Sequence, residues 1–177
     1  TVGYKRENDK WVASDGSNSN FSFIESNTPT SGKYNSTLYS EGWITFAEKL
    51  APNHDAAQKH WGGNWAIPTL VQINDLLSKC DWIWTTMNGV AGYVVRGRGN
   101  YASKSIFLPA ASYGDGVVFW LDYSSSYGYY WSSVPDSEGV YCYYSCSLYF
   151  NLRRHCMNIY DRYFVQPVRP VSDSLES

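Results

Sequence analysis

Residues 69–86 read TLVQINDLLSKCDWIWTT, and a change of period inside this stretch decides the fold class. Up to Lys79 the apolar side chains keep a helical spacing. Ile73, Leu76, Leu77 and Cys80 fall at i, i+3, i+4 and i+7 and make one stripe. Thr69 is placed to cap that helix, with Gln72 three residues on as its capping-box partner and Pro68 just before it. After Lys79 the period becomes two: Trp82 and Trp84 alternate with Ile83 and Thr85, and Asn88-Gly89 marks a turn. The spacing predicts a helix over 69–79 and a hairpin directly after it.

Upstream, a shorter helix is predicted from Asp55 to Trp61, where Asp55 and Gln58 repeat the capping pattern and Gly62-Gly63 stops it. Residues 43–50 keep neither period. Downstream, Tyr93-Val94-Val95 returns, 97–100 turns again, and Ser105–Leu108 makes a third strand. Further strands are expected at Tyr129–Ser132, Val140–Phe150, His155–Ile159 and Gln166–Val171. Two helices packed on short antiparallel strands with long loops give an α+β domain over 41–177. Residues 1–40 are expected to form an extended arm packed on that domain. Its Ser-, Asn-, Gly- and Thr-rich part, Ser14–Thr37, carries one short strand around Phe21, Phe23 and Ile24.

At 177 residues the chain supports one core. Charged residues make up 17 % of it, against roughly 25 % in an average soluble domain. A net charge of −2 provides no basic field for a nucleic acid backbone. No apolar run approaches the ~20 residues of a membrane-spanning helix, so no membrane insertion is expected. The chain begins at Thr1 with no leader and is expected to be a mature form.

Composition is uneven along the chain. All seven Lys precede residue 105, ten of the 16 Tyr lie between Tyr123 and Tyr163, and Gly139–Val165 contains no Lys, Glu, Gln or Trp. Solubility does not explain this, because Lys and Glu are the usual solubilising residues. Tyr supplies rigid amphipathic contact area, and Ser and Asn supply adaptable hydrogen bonds, as in antibody paratopes. Arg153, Arg154, Tyr160 and Tyr163 are residue types that dominate binding hot spots. The segment is too poor in Val, Ile and Leu for an ordinary core, and a binding surface is the expectation.

Motifs for catalysis are missing. No Gly-x-Ser-x-Gly elbow occurs, and Gly97-Arg98-Gly99 is read as a hairpin turn. His54, His60 and His155 have no metal-pair spacing, and no metal or cofactor is expected. Along a strand, Cys142 and Cys146 would stand about 13 Å apart, too far for a disulfide. Free thiols are the expectation there, with a bridge from either to Cys156 left open, while Cys80 belongs to the helix stripe.

Several motifs then follow one another in order. They are Trp61-Gly62-Gly63-Asn64-Trp65-Ala66-Ile67-Pro68-Thr69, Cys80-Asp81-Trp82-Ile83-Trp84-Thr85-Thr86, Asn88-Gly89-Val90-Ala91-Gly92-Tyr93 and Ser105-Ile106-Phe107-Leu108-Pro109-Ala110-Ala111. Gly128-Tyr129-Tyr130-Trp131-Ser132-Ser133, Leu148-Tyr149-Phe150-Asn151 and Val168-Arg169-Pro170-Val171 complete the series. The series resembles C-type-lectin domains of the formylglycine-generating-enzyme type, as found in the variable proteins of diversity-generating retroelements. The resemblance covers roughly residues 41–171.

In that family a reverse transcriptase randomises adenines, mostly in AAY codons, at the gene's 3′ end. Changing the first two bases of AAY cannot yield Lys, Glu, Gln, Trp or Met, and Tyr141–Phe164 contains only Met157 of these. The resemblance implies a fixed scaffold at Leu148, Tyr149, Phe150, Asn151, Met157, Arg162 and 168–171, within a variable region of about 128–171. It implies variable, solvent-facing, ligand-binding positions at Leu152, Arg153, Arg154, Cys156, Asn158, Ile159, Tyr160, Asp161, Tyr163 and Phe164. Tyr141, Tyr143 and Ser145 join them from a segment longer than the family pattern. Val165 stands where the family carries Gly, so the last turn is expected to differ. Cys142, Cys146 and Cys156 fall in the randomised window and are expected to be chance thiols.

The implied function is a non-enzymatic binding protein for a protein or glycan receptor on a cell surface, located on a bacterial surface or a phage tail. Folding is expected to be indifferent to joint substitution of Arg153, Asn158, Tyr160 and Tyr163. Two alternatives share the scaffold. A sulfatase-modifying enzyme of the formylglycine-generating type needs a cysteine pair that this chain does not hold in that family's motif. A calcium-dependent sugar-binding lectin is suggested by Trp131-Ser132-Ser133-Val134-Pro135-Asp136, without a Trp-Asn-Asp partner to complete an oxygen cage.

Overall fold

The computed structural model describes residues 28–115, 126–136 and 142–172, and the backbone of strands at 4–7, 10–13 and 118–119. The described elements are mixed α and β, and every strand pairing is antiparallel. Helix α1 is Asn35–Ser40, α2 is Ala56–Trp61 and α3 is Leu70–Lys79. Strands β4 (Cys80–Met87), β5 (Val90–Gly97) and β6 (Ser105–Pro109) form one three-stranded sheet. Strands β9 (Tyr127–Pro135), β10 (Tyr144–Asn151) and β11 (Arg154–Asp161) form a second, in the order β11-β10-β9. Three two-stranded pairs surround them. They are β1 (Tyr4–Glu7) with β2 (Lys10–Ala13), β3 (Trp65–Ala66) with β12 (Val171–Ser172), and β7 (Gly114–Asp115) with β8 (Val118–Phe119). Among the described residues no helix is long and apolar enough to cross a membrane.

Helix α3 carries the expected capping box. The Thr69 side chain accepts from the Gln72 N–H, and Gln72 Oε1 accepts from the Thr69 N–H at 2.9 Å. Cys80 has extended backbone (φ −118°, ψ 163°), so the helix passes straight into β4. The Asn88-Gly89 turn has φ of 51° and 80°, the left-handed pair that a two-residue hairpin requires. At α2 the capping Asp55 does more than its spacing promised. It is buried, and its carboxylate accepts from the N–H groups of Ala57, Gln58 and Ile67, tying the helix to the segment that leads into α3.

The core lies between the two large sheets. Leu148 and Phe150 of β10 and Tyr130 of β9 meet Tyr93, Val95 and Leu108 of the other sheet, with Ile73 of α3 closing one side. Phe150 is fully buried, with the rings of Tyr93, Tyr130, Trp82 and Trp84 at 5.4, 6.0, 6.2 and 6.4 Å. Its partner across the β9–β10 ladder is Gly128, where an added Cβ would fall inside the phenyl ring.

Three expectations are corrected. Residues 35–40, inside the supposed extended arm, are helical. Asn, Ser and Thr are weak helix formers, so propensity hid the element, and burial of Leu38 stabilises it. The strand expected around Phe21 lies outside the described residues. Of the strand expected at Gln166–Val171 only Val171–Ser172 pairs, because Pro167 and Pro170 have no N–H to give to a ladder. Residues 43–50 form turns around a single bridge between Ile44 and Leu50. The four cysteines are unbridged. Cys146 lies across from Ile159 and Cys156 across from Tyr149, so their side chains leave opposite faces of the sheet.

Gly128→Ala is expected to cost about 1–3 kcal/mol, since neither the ring nor the ladder has room to move. Chemical denaturation checks this, and an unchanged midpoint would mean that the sheets do not close on Phe150.

Candidate binding face

The site begins at the β10–β11 hairpin. Asn151 Oδ1 accepts from the N–H groups of Arg153 (2.8 Å) and Arg154 (3.1 Å), which closes the turn at Leu152-Arg153. Strand period then sorts every side chain. Leu148 and Phe150 face the core with their cross-strand partners Met157 and His155. Tyr149 and Asn151 therefore leave the opposite face, together with Arg154, Cys156, Asn158 and Tyr160. Strand β9 adds Tyr127 opposite Asn151 and Tyr129 opposite Tyr149.

These side chains form a continuous aromatic layer. Tyr129 lies 5.3 Å from Tyr149, 5.4 Å from Tyr160 and 4.7 Å from Tyr113. Phe164 stacks on Tyr113 at 5.2 Å, and Tyr163 meets Phe164 edge-on at 5.0 Å. Polar groups fix the rings: Asn151 Nδ2 donates to the Tyr149 hydroxyl at 2.8 Å, and Asn158 Nδ2 to that of Tyr160 at 3.1 Å. The Arg154 guanidinium lies over the Tyr149 ring, 5.0 Å from its centre.

One end of the face is closed and the other open. At the closed end Ser147 is fully buried, and its hydroxyl bonds to Gln166 and to the Tyr130 carbonyl. At the open end Leu152, Arg153 and Arg154 are exposed. A shallow depression of about 400 Å³ lies there, lined by Ser126, Tyr127, Asn151, Leu152 and Arg153. Burial, and then the neighbouring phenols, push the Tyr129 hydroxyl well above its ordinary value. Burial also raises Tyr160, against the opposing hydrogen bond from Asn158. Both rings therefore stay neutral donors at neutral pH.

The residues expected to bind do not form one flat patch. Arg154, Cys156, Asn158, Tyr160, Tyr163 and Phe164 share the aromatic face or its edge, and Leu152 and Arg153 form the open rim. Ile159 and Asp161 sit on the other side of the sheet, with Ile159 partly exposed there. Ser145 lines a separate cavity, and Tyr143 is exposed beside Gly32. Tyr141 lies outside the described residues. Phe164 is stacked on Tyr113 rather than solvent-facing, and Tyr160 is half-buried, which corrects the expectation that both lie outside the packing. Tyr113, Tyr127 and Tyr129 were not singled out for binding. The odd-numbered pair Tyr127 and Tyr129 beside Gly128 carried the signal, which needed the β9–β10 register to be read.

No protein-family model, curated protein or solved structure matches this chain. The lectin-type scaffold therefore rests on the motifs quoted above.

Two outcomes follow from this packing. Tyr160→Ala is expected to lower stability by about 1–3 kcal/mol through lost ring contacts, and Arg153→Ala by less than about 0.5 kcal/mol, measured by denaturant melts. Unfolded tyrosines ionise near pH 10, below the buried ones, so the stability they contribute is complete below about pH 10 and falls above it. Phenolate absorbance and thermal melts across that range should show ionisation of Tyr129 and Tyr160 arriving together with unfolding.

Proposed function

We propose that this chain is a non-enzymatic binding protein whose C-terminal surface is diversified by a retroelement on a C-type-lectin scaffold. One observation carries the reading: the stretch free of Lys, Glu, Gln and Trp contains the strand and turns that rim the aromatic face. An adenine-directed process leaves that codon signature. On β11, Arg154, Cys156, Asn158 and Tyr160 leave the face away from the core, where replacement is least costly to the fold.

The surface suits a macromolecular receptor, protein or glycan, met outside the cell. Tyr149 and Tyr127 provide apolar ring area, Arg153 and Arg154 add positive charge, and the depression beside Leu152 admits one protruding group. Among the described residues no group of three or more His, Cys, Asp or Glu side chains converges. Recognition is assigned to aromatic and guanidinium groups.

Sequencing the DNA beyond the gene's 3′ end tests the reading. A near-copy of the codons for Gly128–Val171, differing only at adenines and lying beside a reverse transcriptase gene, is the expected result. Without such a copy the aromatic face would be a fixed site, and the diversified positions would lose their basis.

A further inference from the structure

Under the closed end of the sheet lies a second cavity, of about 170 Å³, between β9 and the segment 30–50. Its wall is mostly apolar, with Leu38, Trp43, Ile44, Leu50, Ile67 and Trp131. Two polar groups of the same wall are buried without a hydrogen-bond partner, Nη2 of Arg162 and Oγ of Ser133, and Ser133 is only 2 % exposed.

Arg162 is otherwise fully engaged, and only by neutral groups. Its Nε donates to the Tyr144 carbonyl at 2.9 Å, and Nη1 donates to the carbonyls of Thr30 (2.6 Å) and Lys33 (2.9 Å). It makes no ion pair with a described residue, and the charge of Asp136 reaches it only at longer range. A buried cation held by carbonyls alone, with one N–H pair lacking an acceptor, is a site that lacks an anion. Water is a poor substitute, because a mostly apolar cavity offers it few of the partners it needs. Size narrows the choice further: a dry apolar cavity of about 150 Å³ accepts one benzene ring.

We propose that this cavity binds a small monocarboxylate whose body is one aromatic ring or a comparable branched hydrocarbon. The carboxylate accepts from Arg162 Nη2 and from the Ser133 hydroxyl, and the body lies among Trp43, Trp131 and Ile67. The site stands apart from the aromatic face and does not depend on diversification. Of the candidate diversified positions only Ser145 reaches its wall.

Calorimetric titration of the intact chain with phenylacetate and with its uncharged isostere phenylacetamide is the test. Phenylacetate is expected to bind saturably below about 1 mM and to change tryptophan emission, with the amide at least about tenfold weaker. Ser133→Ala is the informative variant, because losing an unpartnered buried hydroxyl leaves the melting temperature unchanged or raises it. The same change is expected to weaken phenylacetate about three- to tenfold, a loss that a purely structural role for Ser133 does not produce. Equal binding of amide and acid, unaltered affinity in Ser133→Ala, or no saturation by about 10 mM would each overturn the proposal.

Discussion

The ring of Phe150 closes the structure. It sits where the sheet β9-β10-β11 meets the sheet β4-β5-β6, bounded by Trp82, Trp84, Tyr93 and Tyr130, and it fits only because its cross-strand neighbour is Gly128. A close-packed interior leaves no slack around such a ring. Shifting β10 by one residue would put Tyr149 and Ser147 into the core in place of Phe150 and Leu148. The register of the C-terminal sheet is thereby set from inside the molecule, and everything outside it follows.

The aromatic face is the first consequence. With Leu148 and Phe150 committed inward, Tyr149 and Asn151 must point outward. The β10–β11 ladder carries the same choice to Arg154, Cys156, Asn158 and Tyr160. What results is graded rather than simply exposed. Tyr129 and Tyr160 are packed enough to be part of the fold, while Leu152, Arg153 and Arg154 stand in solvent at the hairpin. A surface built this way can vary its rim freely and its inner rings only at some expense of stability. Arg162 belongs to a different economy: it joins the strand end to the segment 28–50, and its spare donor faces inward to an apolar space.

Legibility followed the range of the interactions. Helix α3, helix α2, the turn at Asn88-Gly89 and strands β4 to β6 were readable, because capping, period and turn chemistry act between residues less than about five apart. Helix α1 was hidden, since its residues have weak helical preference and its stability comes from Leu38 meeting distant residues. The segment after Gln166 looked like a strand by its apolar content but lacks the donors to be one. Half of the candidate binding residues could be grouped by strand alternation. Ile159 and Asp161 were assigned to the same surface only because neighbours in sequence were taken as neighbours in space.

The sequence by itself determined the α+β class, the two capped helices, the hairpins and the compositional skew of 139–165, all of which are local or compositional properties. Tertiary structure alone decided which face of each C-terminal strand looks outward, that Tyr113, Tyr127 and Tyr129 join Tyr149 and Tyr160 in one layer, and that Arg162 lacks an acceptor. Those facts depend on pairings between residues up to about 130 positions apart, as in the bond from Arg162 to Thr30. Such pairings are chosen by the packing of the whole core, and no short-range pattern encodes them.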